Sequence, residues 1–129
     1  MKPKIEKETT KEDLLAKGYT PLTKQELKEL ISNTTVWGDY EYRGHRRYKT
    51  FMDSKGAMEG KNDWGSTEFG IWDIDDNGCL TVEWEGYWED WSGVAFKVED
   101  EIKFYDIKSG KWRTTFHTII KGEQRLEVS

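Results

Sequence analysis

The sequence predicts a mainly β fold: a closed, antiparallel up-and-down β-barrel of about eight strands with an N-terminal capping helix. After residue 34 the chain falls into short segments bounded by Gly, Asp and Asn, a pattern typical of antiparallel meanders. This region contains no Pro, which favours strands that are paired on both sides. The 129 residues include 14% aromatic residues, seven of them Trp, although the mean hydropathy is -0.90. A few large side chains therefore have to fill the core of a small barrel.

The capping helix is predicted from residue 23 to residue 32. Thr23 and Glu26 have the spacing of a capping box, in which each side chain bonds the backbone N–H of the other residue. Leu22 and Leu27 have the spacing of a hydrophobic staple around the same helix start. Residues 1–19 before it are predicted to be a flexible or partly helical leader, and residues 20–129 a single barrel domain.

Eight strands are predicted after the helix. They cover residues 34–38, 48–52, 57–61, 69–74, 79–84, 91–98, 102–107 and 111–120. In two of these strands apolar residues alternate with other residues, so one face of each is expected inside the barrel and the other in solvent. The apolar series are Leu80, Val82 and Trp84 in one strand and Val94, Phe96 and Val98 in the other.

Charge and cysteine content limit the partners. Between residues 63 and 106 acidic residues far outnumber the two lysines, Lys97 and Lys103, which argues against nucleic acid. No stretch is apolar enough to predict a membrane span, and the N-terminus lacks the apolar segment of a signal peptide. We therefore expect a soluble monomer or homodimer in an undetermined compartment, with no cofactor. Cys79 is expected to be a buried small apolar residue.

Residues 70–84 carry a resemblance to a known family. They contain a G-x-W motif, a D/N-G hairpin and an alternating strand that ends in Trp. This unit resembles the hairpin of small lipocalin-like (calycin-type) barrels, in particular bacterial single-domain proteins of uncharacterised function. In that family a short helix precedes the strands, and its pattern is matched here by Leu22, Thr23, Glu26, Leu27, Leu30, Ile31, Asn33, Thr34 and Gly38. The resemblance implies a barrel with a pocket at one end and carries over no catalytic residue.

The composition of the surface leaves open whether the sequence is natural or redesigned. Lys and Glu occupy nearly every surface position around the N-terminal caps, which is also typical of an engineered or redesigned variant of a natural barrel.

Aromatic residues around residues 84–91 predict the ligand site. Four aromatic and three acidic side chains fall in these eight residues, around a predicted strand connection. Aromatic rings beside polar groups can line a pocket for a small hydrophobic or aromatic molecule. The predicted pocket residues are Trp72, Trp84, Trp88, Trp91 and Phe116, with Arg46 and Arg47 available to bind an anionic group.

Two other functions remain open. The first is a cofactor-free enzyme such as an isomerase, cyclase, lyase or hydrolase, with His117 or a buried carboxylate such as Glu83 as general base and Tyr48 as a polar group. The second is a protein-interaction module that uses the acidic face. Asp73, Asp75, Asn77 and Gly78 match part of a calcium loop, but position 12 is Trp84, so a hairpin turn is the favoured interpretation and no metal site is predicted.

Overall fold

A computed structural model describes residues 10–40 and 46–123. Two helices are followed by eight strands. The helices are α1 (Lys11–Ala16) and α2 (Lys24–Ile31). The strands are β1 (Thr34–Tyr40), β2 (Arg46–Met52), β3 (Ala57–Asn62), β4 (Thr67–Ile74), β5 (Cys79–Trp84), β6 (Trp91–Val98), β7 (Glu101–Asp106) and β8 (Trp112–Lys121).

The strands form a closed antiparallel barrel. Each strand pairs with the next along the chain, and β1 also pairs with β8, with Thr34 opposite Lys121 and Tyr40 opposite Thr114. Closure leaves no free sheet edge among these strands. The predicted up-and-down barrel of eight strands is confirmed.

Helix α2 closes one end of the barrel. Thr23 accepts a hydrogen bond from the backbone of Glu26, whose side chain accepts one from the backbone of Thr23, so the predicted capping box is present. Leu27 and Ile31 are completely buried in the barrel core. The predicted helix and its capping role are therefore confirmed. No helix in the described ranges has the length and apolar character needed to cross a membrane.

No helix crosses the opposite end of the barrel among the described residues, and we call it the open end. It carries the connections between β1 and β2, β3 and β4, β5 and β6, and β7 and β8, because alternate connections of an up-and-down barrel lie at the same end. Of these, residues 41–45 lie outside the described residues.

A second, smaller core lies on the outside of the barrel. Ala95 packs in the barrel core, whereas Phe96 and Val98 pack on the outer face with Leu14 of α1 and with Tyr105. The expectation that the series Val94, Phe96 and Val98 lies inside the barrel is therefore wrong. These residues are on the outer face, where α1 covers them, and Lys97 of the same strand is exposed.

Candidate ligand-binding cavity

A cavity of about 190 Å³ occupies the open end of the barrel. Its walls are predominantly aromatic and aliphatic, with a small number of polar side chains among them. The described lining residues are Tyr40, Arg46, Tyr48, Thr50, Met52, Asn62, Val82, Trp84, Trp88, Glu89, Trp91 and Phe116. A mostly apolar cavity with a few polar groups is the usual composition of a small-molecule site.

Strand β2 supplies one wall of this cavity. Arg46, Tyr48, Thr50 and Met52 all line it, because side chains two residues apart in a strand point to the same face. Met52 is buried in the barrel core, whereas Arg46 lies next to the connections of the open end. The wall therefore runs from a charged mouth to an apolar floor.

Two Trp rings form another part of the wall, because a glycine leaves room for them. The rings of Trp84 and Trp88 meet edge to face with centroids 4.7 Å apart. A Cβ atom on Gly60 would lie 2.8 Å from an atom of each ring and 3.0 Å from Oγ1 of Thr50. Any side chain at this position would displace the rings.

The connection between β5 and β6 is held in place by two carboxylates. Glu68 of β4 accepts hydrogen bonds from the backbone N–H groups of Gly86, Tyr87 and Trp88, at 3.1, 2.7 and 3.0 Å. Asp90 accepts one from the backbone N–H of Trp84 at 2.7 Å. These contacts fix the backbone of Trp88, so its ring lies over the cavity while Tyr87 is fully exposed.

A buried arginine supports the wall beside Tyr40 and Glu89. Arg113 donates to the hydroxyl of Tyr40 at 2.9 Å, to Oε1 of Glu89 at 2.8 Å and to Oδ1 of Asp106 at 2.8 Å. Burial disfavours the charge of Arg113, but the bonds with Asp106 and Tyr40 outweigh it and raise its pKa. Glu89 therefore faces the cavity as a paired carboxylate.

The same network sets the ionisation of Asp106. Burial disfavours the carboxylate, but hydrogen bonds from the backbone of Ser109, from Arg113 and from the backbone of Lys108 outweigh burial and lower the pKa of Asp106 to about 2.

The hydroxyl groups of Tyr48 and Thr50, both in the cavity wall, have different surroundings. Thr114 donates to the backbone carbonyl of Asp39 at 2.7 Å, so its Oγ1 accepts the hydrogen bond that links it to the hydroxyl of Tyr48 at 2.5 Å. Thr50 is buried, and its Oγ1 has no hydrogen-bond partner among the described residues.

The structure brings together six of the ten residues predicted for the site. They are Trp84, Trp88, Trp91, Phe116, Arg46 and Tyr48, all in the cavity wall. Their strands are far apart in sequence, and the barrel places their inward faces around one space.

The other four lie elsewhere. Trp72 is buried in the core, where its Nε1 donates to the backbone carbonyl of Asp53 at the end closed by α2. Arg47, Glu83 and His117 are exposed, and none of them lines the cavity. Their placement gives no support to the general base proposed on His117 or Glu83.

Several wall residues were not identified from the sequence. They are Tyr40, Thr50, Met52, Asn62, Val82 and Glu89, together with Arg113 behind the wall. The alternation of Arg46, Tyr48, Thr50 and Met52 along one strand was the available signal. No sequence pattern identified Arg113. The pairing of β7 with β8 shifts register next to it, and such a shift is not visible in the sequence of β8.

Two further sequence patterns have structural outcomes. Asp75 accepts hydrogen bonds from the backbones of Asn77 and Cys79 in a tight turn where Gly78 has a φ of 80°, so the hairpin interpretation is confirmed. Within residues 10–40 and 46–123 no three His, Cys, Asp or Glu side chains are grouped as a metal site needs. Arg43 and His45 of the basic segment lie outside the described residues.

Cys79 is buried, as expected for a small apolar residue. Burial is the main cause that raises the pKa of its thiol, and the carboxylates of Asp75 and Asp106 raise it further.

No family model matches the chain, and neither a curated protein nor a solved structure matches it.

Proposed function

We propose that this protein binds a small molecule with a single aromatic ring in the cavity at the open end of the barrel. The observation that carries the proposal is the cavity itself, about 190 Å³ in volume and walled largely by aromatic side chains. An apolar protein cavity of about 150 Å³ is large enough to bind benzene. The size therefore suits one ring with a short substituent.

The polar groups of the wall favour binding over proton-transfer catalysis. Glu89 is the one carboxylate among the described lining residues, and it is paired with Arg113. A general base needs a lone pair directed at the substrate, and this carboxylate is already engaged by a guanidinium. The wall is therefore suited to hold a ring and orient its substituent.

Titration with toluene tests this proposal. We expect saturable binding at one site, a change in Trp fluorescence, and NMR shifts confined to the cavity wall. Trp88→Ala should weaken binding roughly threefold to tenfold, because it removes an aromatic contact worth about 0.5–1.5 kcal/mol. Trp37→Ala is the matched control, since Trp37 contacts Lys49 on the outer face and does not line the cavity. The proposal is overturned if toluene shows no saturable binding, or if the two variants bind it equally.

A further inference from the structure

Asn62 places an amide group in the wall of the cavity, close to its mouth. It is the last residue of β3 and shares the inner face of that strand with Met58 and Gly60, because side chains two residues apart point to the same face. Met58 is buried in the barrel core, whereas Asn62 lines the cavity and is half-buried. The amide therefore lies where β3 reaches the open end of the barrel.

The connection that follows β3 fixes the orientation of this amide. Oδ1 of Asn62 accepts hydrogen bonds from the backbone N–H groups of Trp64 and Ser66, both at 3.0 Å. A backbone N–H group can only donate, so the oxygen of the amide must face both of them. The NH₂ group, which can only donate, has no hydrogen-bond partner among residues 10–40 and 46–123. The wall thus contains an oriented neutral donor.

The two charged side chains among the described lining residues already have contacts of their own. Oε1 of Glu89 is 2.8 Å from Nη1 of Arg113, and the guanidinium carbon of Arg46 lies 3.3 Å from the centroid of the Trp64 ring. A charged ligand would need a counter-charge to offset its loss of water. The NH₂ group of Asn62 needs only an acceptor, so the wall favours an uncharged ligand that carries one.

The aromatic part of the wall begins one inward-facing position away on the same strand. A Cβ atom on Gly60 would lie 2.8 Å from an atom of the Trp84 ring and from one of the Trp88 ring, so both rings border Gly60. Asn62 is two residues further along, which is about 6.5 Å at the rise of a β-strand. This separation is comparable with the length of a benzene ring that bears a carbonyl group. A ring in contact with the two Trp side chains can therefore bring such a group to Asn62.

We propose that the ligand is an uncharged aromatic carbonyl compound, whose ring contacts Trp84 and Trp88 and whose carbonyl oxygen accepts a hydrogen bond from the NH₂ group of Asn62. This inference rests on the proposed function, which supplies the site for the ring. It goes further by naming the polar group of the ligand and the residue that recognises it.

Acetophenone and α-methylstyrene test the inference, because the second compound replaces the carbonyl oxygen of the first with a CH₂ group and has almost the same shape. Asn62→Asp keeps an acceptor for the two backbone N–H groups but removes the NH₂ donor. We expect it to weaken acetophenone binding roughly threefold to tenfold, the range for one hydrogen bond, and to change α-methylstyrene binding by less than about twofold. Each compound is compared with itself across the protein variants, since the two compounds differ in hydration.

Asn77→Asp is the matched control, because it makes the same chemical change in an exposed turn that does not line the cavity. It should leave both affinities unchanged. The thermal unfolding midpoint of each variant shows whether the fold is preserved.

The NH₂ signals of Asn62 in the NMR spectrum give a second readout on the unmodified protein. They are identified by their absence from the spectrum of Asn62→Asp. We expect these signals to move when acetophenone binds and to move much less with α-methylstyrene, because only the ketone offers an acceptor oxygen.

The outcomes separate the two proposals. If Asn62→Asp leaves acetophenone binding unchanged or weakens both compounds equally, or if the Asn62 signals respond equally to both, the carbonyl inference is wrong and the ring site stands. Tighter binding of benzoate or benzylamine than of acetophenone would also overturn it, since the wall would then select a charge. If toluene, acetophenone and α-methylstyrene all fail to bind, the proposed function itself fails.

Discussion

Gly60 and Thr50 face each other across β2 and β3 and together shape the cavity wall. Gly60 leaves the space that the rings of Trp84 and Trp88 occupy, and a Cβ atom on Gly60 would also lie 3.0 Å from Oγ1 of Thr50. The hydroxyl of Thr50 is buried and has no hydrogen-bond partner among the described residues. A buried polar group in this state reduces stability.

Thr50→Val should therefore stabilise the protein by about 1 kcal/mol, because it replaces an unpartnered hydroxyl with a methyl group of similar shape. The free energy of unfolding in urea measures the change. Thr34→Val is the control, since the buried hydroxyl of Thr34 donates to the carbonyl of Ile31 at 2.6 Å and its loss should destabilise by about 1 kcal/mol. Equal destabilisation in both variants would show that the Thr50 hydroxyl is satisfied in the folded protein.

Helix α1 is short, and its contribution to the fold depends on a single buried side chain. Thr10 and Asp13 form a capping box at its start. Leu14 is completely buried against the outer face of β6, whereas its neighbour Leu15 is 45% exposed. Replacing Leu14 therefore tests whether residues 1–19 form a leader that is separate from the barrel domain.

We expect Leu14→Ala to destabilise the protein by about 2–4 kcal/mol, because it opens a cavity between α1 and the barrel. Leu15→Ala makes the same chemical change on the exposed side and should change stability by less than about 0.5 kcal/mol. Chemical unfolding of both variants is the measurement. Similar values for the two would mean that α1 does not pack on the barrel, and residues 1–19 would then behave as a leader.

The connection between β5 and β6 is an element whose position depends on Glu68. Glu68 accepts hydrogen bonds from three backbone N–H groups through its two carboxylate oxygens. Glu68→Gln keeps one of these oxygens and replaces the other with an NH₂ group, which cannot accept a hydrogen bond from a backbone N–H. We expect the backbone of Trp88 to become mobile, toluene affinity to fall roughly threefold to tenfold, and Trp fluorescence to shift to longer wavelength. Glu85→Gln, an exposed change in the same connection, should leave all three unchanged. If toluene affinity is the same in both variants, Glu68 does not position the cavity wall.

At the scale of the whole molecule, the two ends of the barrel differ. Leu27 and Ile31 of α2 fill the closed end, so the core is continuous there. At the open end the wall is completed by the Trp88 ring and by the Arg113 network. The cavity is therefore formed where connections, rather than a helix, cover the barrel.

The Arg113 network should make the stability of the barrel depend on acidic pH. The pKa of Asp106 is lowered from 3.8 to about 2, so its stabilising contribution is present above pH 4 and is lost as the pH falls toward 2. A lowering of the pKa by this amount corresponds to about 2.5 kcal/mol of stability. We expect the free energy of unfolding of Asp106→Asn to fall less than that of the unmodified protein over this interval. Parallel pH profiles for the two proteins would contradict this expectation.

The sequence by itself determined the features that depend on local chemistry. The capping box of Thr23 and Glu26, the turn at Asp75 and Gly78, and the alternation within each strand are set by residues a few positions apart. These signals predicted the helix, all eight strands and the closed barrel. The aromatic residues Trp84, Trp88 and Trp91 were also identified as wall residues because they surround one connection.

Only the tertiary structure decided which side chains meet. Strand closure places Tyr40, Asn62 and Phe116 around one cavity although they lie in β1, β3 and β8. Register shifts and the packing of α1 decide which face of a strand is inside, and this information lies in contacts between distant segments. His117 and Trp72 looked suitable by residue type, but the register directs His117 to the surface and Trp72 into the closed end of the core. A strand pattern has a period of two and specifies two faces, and only long-range packing specifies which face lines a cavity.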